Sequence, residues 1–359
     1  MKSFIILSLS IFLIFESATA ALPIFDTGIM VPQVLSGNAA TPDFTSKQFY
    51  LEDAPQGIGA RSAWSLAGGT GENVKIIDIE IGYEQKHEDL AAFFFSPSNF
   101  PSIDLNHGSA VLGVLAGQPN SMGIIGIAHA AEMGFIGFKE GAQDDVDQPY
   151  IDGINEAIKA AISKLEAGDV LVIEQHMVGP DSRKYTAVEY WEPIFNELKK
   201  ATDAGIHCVE AAGNGGSNFD SPVYGGAFDL KLRDSGCIMV GAGSAQSKER
   251  LGFSNYGSRV DAFGFGEMVT TIGYGDLFND GSPRAYTQRF NGTSSATPIV
   301  AGAVAVVSSI AEAQGVVITP TKMREALRAT GTSQGPMTKE KRIGNLPNVS
   351  AMLEYLNLK

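Results

Sequence analysis

Val74-Lys75-Ile76-Ile77-Asp78-Ile79 is the first of five short apolar runs that have the composition of buried β-strands. The other four runs span residues 133–138, 170–173, 206–211 and 237–240. Helical periodicity lies between them, for example over residues 151–165. Strands that alternate with helices predict an α/β fold of three layers, in which a mostly parallel central sheet carries helices on both faces. The functional site of such a sheet gathers at the carboxyl ends of its strands.

A second strong signal is the helix predicted over residues 294–312, which is built from small and apolar residues on every side. Such a helix belongs in the centre of a large fold. Thr319-Pro320 predicts the start of a further helix that ends near Gly331. Between residues 259 and 290, glycines and short β signals predict hairpins.

The acidic composition limits the kinds of partner. The net charge of −14 leaves no basic surface to neutralise phosphates, so we expect no nucleic acid partner. Charged residues make up only 18% of the chain and there are 41 glycines, which favours a compact, loop-rich protein over a disordered or coiled-coil one.

The first twenty residues have the pattern of a secretory signal peptide. Lys2 gives a positive start, residues 4–15 are apolar, and Ala18-Thr19-Ala20 supplies a small-residue cleavage site. The apolar run is short for a membrane span. We therefore predict a secreted, extracellular protein with no membrane anchor in its mature form.

These signals divide the chain into three parts. Residues 1–20 form the signal peptide, residues 21–48 a short N-terminal extension or pro-segment, and residues 49–358 one domain. The extension is too short to be a separately folded propeptide.

The two cysteines, Cys208 and Cys237, leave two interpretations open. Export permits one disulfide between them. Both, however, lie in apolar strand-like runs, where buried free thiols act as small hydrophobic groups.

Three reactive side chains lie at the ends of predicted elements, beside small residues. Asp78 closes a strand, His107 opens a helix of small residues, and Ser294 begins the buried helix. A serine becomes an effective nucleophile when a base accepts its proton, and a carboxylate that fixes the tautomer of the base improves it. Each residue alone has a structural explanation, but the combination favours nucleophilic catalysis.

The three segments resemble the signatures of the subtilisin-like serine proteases (subtilases). The matching residues are Ile77-Asp78, Asn106-His107-Gly108-Ser109-Ala110-Val111-Leu112-Gly113 and Gly292-Thr293-Ser294-Ser295-Ala296-Thr297-Pro298-Ile299-Val300-Ala301-Gly302. They occur in the family's order of Asp, His and Ser. The resemblance implies Asp78, His107 and Ser294 as catalytic residues, with Ser294 as the nucleophile because it directly follows Gly-Thr.

A fourth segment, Ala211-Ala212-Gly213-Asn214-Gly215, resembles the oxyanion-hole segment of that family. The resemblance implies that Asn214 donates its side-chain amide to the tetrahedral intermediate. Taken alone, an asparagine after a strand is an ordinary turn residue.

The resemblance as a whole implies a subtilisin-like fold and a secreted serine endopeptidase that acts through an acyl-enzyme intermediate. Protein or peptide substrates are the expected partners, and we expect a monomer. The main alternative is a catalytically inactive subtilisin-fold module that binds or inhibits.

That alternative depends on one segment that departs from the family pattern, residues 172–179. It occupies the place of the family's substrate-binding strand, with Glu174 and His176 where Asn and Ser are usual. The resemblance implies substrate-binding roles for Glu174, His176 and Gly179 with an altered pocket. His176 also has a structural explanation as the partner of a nearby carboxylate.

The loop Gln118-Pro119-Asn120-Ser121-Met122-Gly123-Ile124 resembles the loop that holds calcium in many family members. The resemblance implies Asn120 and backbone carbonyls as ligands, with Asp89 supplying a carboxylate. Oxygen ligands of mixed type suit Ca²⁺. A loop that keeps its shape without metal explains the residues equally well, so a structural calcium stays open.

Overall fold

The computed structural model describes residues 40–98, 104–138, 148–182 and 184–358. The predicted signal peptide lies outside the described residues. Part of the predicted extension packs onto the domain, because the N–H of Phe44 donates to the carbonyl of Gly123 at 2.7 Å and Gln48 is fully buried. The compact body therefore begins before residue 49, the predicted boundary.

The described residues contain thirteen strands and seven α-helices. The strands are β1 (Lys75–Glu80), β2 (Glu132–Gly137), β3 (Val170–Ile173), β4 (His176–Val178), β5 (Tyr185–Ala187), β6 (His207–Ala211), β7 (Ile238–Gly243), β8 (Ala262–Phe265), β9 (Val269–Ile272), β10 (Phe278–Asn279), β11 (Ala285–Phe290), β12 (Thr332–Ser333) and β13 (Asn345–Leu346). The helices are α1 (Ala60–Ala63), α2 (Asn106–Ala116), α3 (Gln148–Ile162), α4 (Glu192–Asp203), α5 (Thr293–Ala313), α6 (Pro320–Ala329) and α7 (Val349–Tyr355).

The central sheet has eight strands in the order β12-β13-β8-β7-β6-β3-β1-β2. Every pair is parallel except β12 with β13. All five apolar runs of the sequence are strands of this sheet, so the predicted α/β fold is confirmed. The predicted hairpins correspond to the antiparallel sheet β10-β11-β9, and β4 pairs with β5 in a further hairpin.

Alternation along β1 explains the layers. Ile76 packs into the core that contains α2 and α5, whereas Ile77 and Ile79 face the core that contains α3 and α4. The site described below belongs to the Ile76 face. Its position follows from the two helices that cover this face.

Helix α5 is the central helix that the sequence predicts. It packs on β6, β7 and β8, and its residues are buried from Thr293 to Ala311. Among the described residues it is the one helix long and apolar enough to cross a membrane, and its apolar window is entirely buried within the fold.

The two cysteines are buried free thiols in the structure and do not form a disulfide with each other. Cys208 lies on β6, and Cys237 directly precedes β7. They are neighbours, because Val209 pairs with Ile238 one step further along.

Candidate active site

Strand β1 ends at a carboxylate that meets the histidine of α2. Oε1 of Glu80 lies 2.6 Å from Nδ1 of His107, and Oε2 accepts a hydrogen bond from the N–H of Ile81 at 3.0 Å. Both oxygens of Glu80 are thus held. A proton on Nδ1 shared with Glu80 leaves Nε2 as the basic nitrogen of the ring.

Helix α2 approaches the end of β1 closely because residue 108 is a glycine. A Cβ atom at Gly108 would lie 2.5 Å from the carbonyl oxygen of Gly82 and 3.4 Å from Cβ of Glu80. Asp104 fixes the start of the helix by accepting the N–H of Asn106 at 2.8 Å. These contacts hold the first turn of α2 over the end of the strand.

The prediction that Asp78 orients His107 is wrong. Asp78 lies two residues before Glu80 on the same face of β1, about 6.6 Å further back along the strand. It is fully buried, and neither carboxyl oxygen has a hydrogen-bond partner among the described residues. Glu80, at the strand end that α2 approaches, takes the predicted contact.

The sequence contains a signal that would have identified Glu80. Functional side chains stand at the carboxyl ends of parallel strands. Glu80 is the last residue of β1, just before the bend at Ile81, whereas Asp78 lies inside the strand. The match at Ile77-Asp78 depended on residue type and did not consider position along the strand.

A third buried carboxyl belongs to Glu174. Val172 of β3 pairs with Asp78, and alternation places Glu174 on the same sheet face. Glu174 is 3% exposed, and its oxygens have no hydrogen-bond partner among the described residues. The structure therefore places Glu174 inside the protein, against the prediction that it binds substrate.

Burial decides the protonation of the two unpartnered carboxyls. It raises the pKa of Asp78 and of Glu174 well above their ordinary values, and the charge of Glu80 adds to the rise in both. Burial therefore favours the protonated form of both groups. Glu80 is the carboxylate that contacts the histidine.

The imidazole of His107 is tuned by two opposing effects. Burial acts to lower its pKa, but the charge and hydrogen bond of Glu80, together with the charge of Asp104, outweigh burial and raise the pKa above 6.5. The ring also packs edge-on against Phe290, with centroids 5.6 Å apart. His107 is consequently a stronger base than a free histidine.

The start of α5 separates the two adjacent serines. Ser294 lies in the first turn of the helix and is 6% exposed. Oγ of Ser295 instead donates to the carbonyl of Phe265 at 2.9 Å and is fully buried. The hydroxyl of Ser295 is thus engaged with the backbone, and Ser294 is the serine placed at the site.

Asn214 follows β6 in the loop beside this helix end. Its Oδ1 accepts hydrogen bonds from N and from Oγ1 of Thr293, both at 3.0 Å. Its Nδ2 donates no hydrogen bond to any of the described residues. Because Thr293 fixes the amide oxygen, the N–H₂ group of Asn214 is free to donate to a ligand. This role of Thr293 was not predicted from the sequence.

These side chains meet at one cavity of about 390 Å³. His107, Asn214 and Ser294 all line it, and Glu80 lies behind His107. The remaining lining residues are Tyr274, Asp276, Thr287, Arg289, Phe290, Asn291 and Gly292. The cavity therefore combines a hydroxyl, an imidazole and an amide donor, the groups that acyl transfer requires.

The altered segment runs from the end of β3 into β4, which forms the hairpin β4–β5 next to the Asn214 loop. The ring of His176 stacks on Tyr185 with centroids 4.1 Å apart, and its Cβ lies 3.2 Å from the position of a Cβ atom on Gly213. Burial, together with the charge of His107, lowers the pKa of His176 to about 4. The N–H of Gly179 donates to Lys184 within the hairpin.

Asp89 and Asn120 lie together as predicted, but they bond each other. Nδ2 of Asn120 donates to Oδ1 of Asp89 at 2.7 Å, and the N–H of Ile124 donates to Oδ2 at 2.9 Å. Oδ1 of Asn120 accepts the N–H of Met122 at 3.2 Å. The loop is closed by its own hydrogen bonds, which engage both carboxylate oxygens of Asp89 and the amide oxygen of Asn120.

Known proteins share this arrangement of elements. The model of the Subtilase family matches residues 24–345. Subtilisin amylosacchariticus of Bacillus subtilis subsp. amylosacchariticus is 30% identical over 293 residues, which is 80% of this chain and 68% of that protein. Subtilisin of Bacillus pumilus is 29% identical over 291 residues, covering 79% of this chain and 94% of that protein.

The fold is also found among solved structures. A protease from Pseudoalteromonas arctica PAMC 21717 superimposes with a TM-score of 0.63 and 21% identity. The alignment covers 88% of this chain and 100% of that chain.

Proposed function

Because this chain belongs to the subtilase family of serine endopeptidases, we propose that it hydrolyses peptide bonds at the site formed by Glu80, His107, Ser294 and Asn214. Its substrates are proteins or peptides. The observation that carries the proposal is the shared cavity, where Ser294, His107 and Asn214 meet with Glu80 directly behind the imidazole.

In the proposed mechanism, Nε2 of His107 takes the proton of Ser294 as its Oγ attacks the peptide carbonyl. Glu80 holds the Nδ1 proton and stabilises the imidazolium that forms. His107 then gives its proton to the leaving amine. Water next attacks the acyl-enzyme while His107 accepts its proton, and His107 returns that proton to Oγ of Ser294 as the product acid leaves.

The oxyanion of the tetrahedral intermediate is held by Nδ2 of Asn214 and the N–H of Ser294. The N-terminus of α5 adds a favourable partial charge there. Thr293 keeps the amide of Asn214 turned towards the substrate.

Two serine variants test the proposal. Ser294→Ala should lower kcat by about 10⁶ and abolish labelling by a fluorophosphonate, because the nucleophile is lost. Ser295→Ala is the matched control, and it should keep its activity while losing about 1 kcal/mol of stability with its backbone hydrogen bond. Full peptidase activity in Ser294→Ala would overturn the assignment, and no turnover by the wild-type enzyme would favour the inactive binding module.

For the substrate cleft, we retain His176 and Gly179 as candidates. The hairpin that carries them adjoins the Asn214 loop, which supports a place beside the substrate. We also retain export and a monomeric state as proposals. Export is supported by the pattern of residues 1–20, and N-terminal sequencing of the protein recovered from culture medium would test it.

A further inference from the structure

Asn255 lies at the centre of the loop that carries Asn214, although it is far away in sequence. Its side chain is fully buried, and both its amide N–H₂ group and its amide oxygen form hydrogen bonds. Nδ2 donates to the carbonyls of Ala212 at 2.6 Å and Tyr185 at 2.8 Å, and Oδ1 accepts the N–H of Ser217 at 2.8 Å. This amide therefore joins both ends of the loop.

The backbone of Asn255 adds a contact nearer the functional residue. Its N–H donates to the carbonyl of Gly213 at 3.0 Å, directly before Asn214. Cβ atoms at Gly213 and Gly215 would lie 3.1 Å from Nδ2 and 2.9 Å from Oδ1 of Asn255. The loop is thus wrapped around this side chain, with contacts on both sides of Asn214.

We infer that Asn255 is a positioning residue for the oxyanion donor, an inference that rests on the proposed function. An oxyanion donor acts within about 2.7–3.1 Å of the developing charge. A displacement of 1 Å at a catalytic site costs about 10² in rate. Asn255 has no exposed surface to touch substrate, so it acts through the backbone of residues 212–217.

The same side chain links the loop to the altered hairpin. Tyr185, whose carbonyl it binds, belongs to β5 and stacks on His176 of β4. One amide thereby sets the position of the oxyanion donor relative to the hairpin. Loss of the Asn255 side chain should therefore make both the Asn214 loop and the hairpin β4–β5 less well positioned.

The test compares Asn255→Ala with Asn214→Ala and with the double variant. Loss of one oxyanion donor costs about 10²–10³ in kcat, a magnitude measured in subtilisin itself. We expect Asn255→Ala to lower kcat by about 10–10² with KM within about threefold, because a misplaced donor loses only part of that contribution. In the Asn214→Ala background the same change should cost less than about threefold, because the donor is already absent.

A ligand that forms an oxyanion gives a second measurement. A peptide aldehyde adds to the serine and generates a tetrahedral oxyanion, whereas the matching peptide acid product does not. Asn255→Ala should weaken the affinity for the aldehyde by a factor similar to its loss in kcat, and it should leave the affinity for the peptide acid unchanged. A residue that merely stabilised the fold would move neither affinity of the folded enzyme.

Gln48→Ala is the matched control. Gln48 is also a fully buried amide with hydrogen bonds to Tyr50 and to both backbone groups of Ile125, outside the site. It should lose stability but keep kcat per active site, with active enzyme counted by fluorophosphonate titration. Asn255→Ser, which retains one donor, should give an intermediate kcat and decides the question if the alanine variant does not fold.

Two results separate the possible failures. If Asn214→Ala lowers kcat but neither Asn255 variant does so, the positioning role is overturned and the proposed function stands. If Asn214→Ala and Ser294→Ala both leave activity unchanged, the proposed function itself fails. Full additivity in the double variant would also overturn the positioning role.

Discussion

The carboxylate of Glu80 lies 2.6 Å from Nδ1 of His107, while Asp78, two residues earlier on the same strand, has no hydrogen-bond partner among the described residues. The acid of this site is therefore a glutamate at the end of β1. A neighbouring aspartate, which looks like the signature residue, is fully buried and makes no hydrogen bond to the histidine.

The first prediction exchanges the two acids. Glu80→Gln should lower kcat by about 10⁴, because an amide in place of the carboxylate of a triad leaves the wrong tautomer of the base. Asp78→Asn should stay within a few-fold of wild type, because the side chain of Asp78 makes no hydrogen bond to His107. Steady-state kinetics of both variants check this, and the reverse order of effects would restore Asp78 as the acid.

The second prediction concerns stability against pH. Asp78 and Glu174 have pKa values raised by burial, so the folded state keeps protons that the unfolded chain has lost above its values of 3.8 and 4.5. Stability should therefore fall as the pH rises above this range, by up to about 1.4 kcal/mol per pH unit for each group until its folded pKa is passed.

Asp78→Asn should remove one of these two contributions. Its Tm relative to wild type should rise as the pH increases above the unfolded value of 3.8, because the variant has no carboxyl to ionise. Thermal unfolding in a series of buffers measures the difference. A difference that stays constant with pH would show that Asp78 ionises in the folded protein as in the unfolded chain.

The third prediction is the acid limb of the activity profile. His107 must be neutral to accept a proton, and its pKa is raised above 6.5 because the attraction of Glu80 and Asp104 outweighs burial. kcat/KM should therefore fall as the pH drops through an apparent pKa above 6.5. In Glu80→Gln the apparent pKa of this acid limb should be lower, because the carboxylate that stabilises the protonated imidazole of His107 is lost.

His176 supplies the control for this profile. Its pKa is lowered to about 4 by burial and by the charge of His107, so it is neutral throughout the active range. His176→Ser should leave the midpoint of the acid limb nearly unchanged. A large shift of the midpoint would show that His176 titrates in the active enzyme.

The fourth prediction concerns calcium. Both oxygens of Asp89 already accept protein N–H groups, so removal of divalent cations with EDTA should leave Tm unchanged. An occupied site at a calcium concentration of about 100 times Kd would instead add about 2.7 kcal/mol. A rise of Tm with added Ca²⁺, absent from Asp89→Ala, would contradict the prediction.

Local patterns in the sequence determined the strands and the central helix, and the resemblance to the subtilase signature gave Ser294 as the predicted nucleophile. Runs of Val and Ile and an all-apolar helix have few solutions other than a covered parallel sheet, and Gly292-Thr293-Ser294 marks its helix start without reference to distant residues. The predicted role of Asn214 came from the resemblance of Ala211-Ala212-Gly213-Asn214-Gly215 to the oxyanion-hole segment of the subtilases, because an asparagine after a strand is by itself an ordinary turn residue.

The tertiary structure alone decided which polar groups meet. Asp78 and Glu80 share one face of one strand and differ by two residues of depth, so the choice between them depends on where the end of α2 comes to lie, and Gly108 sets that approach. Glu174 and Asn255 show the same dependence, since partners far away in the chain determine whether a buried carboxyl finds a hydrogen-bond partner and whether an amide holds a loop. Pattern is a property of neighbours in sequence, whereas a hydrogen bond of 2.6 Å requires two elements to pack at one distance and one angle.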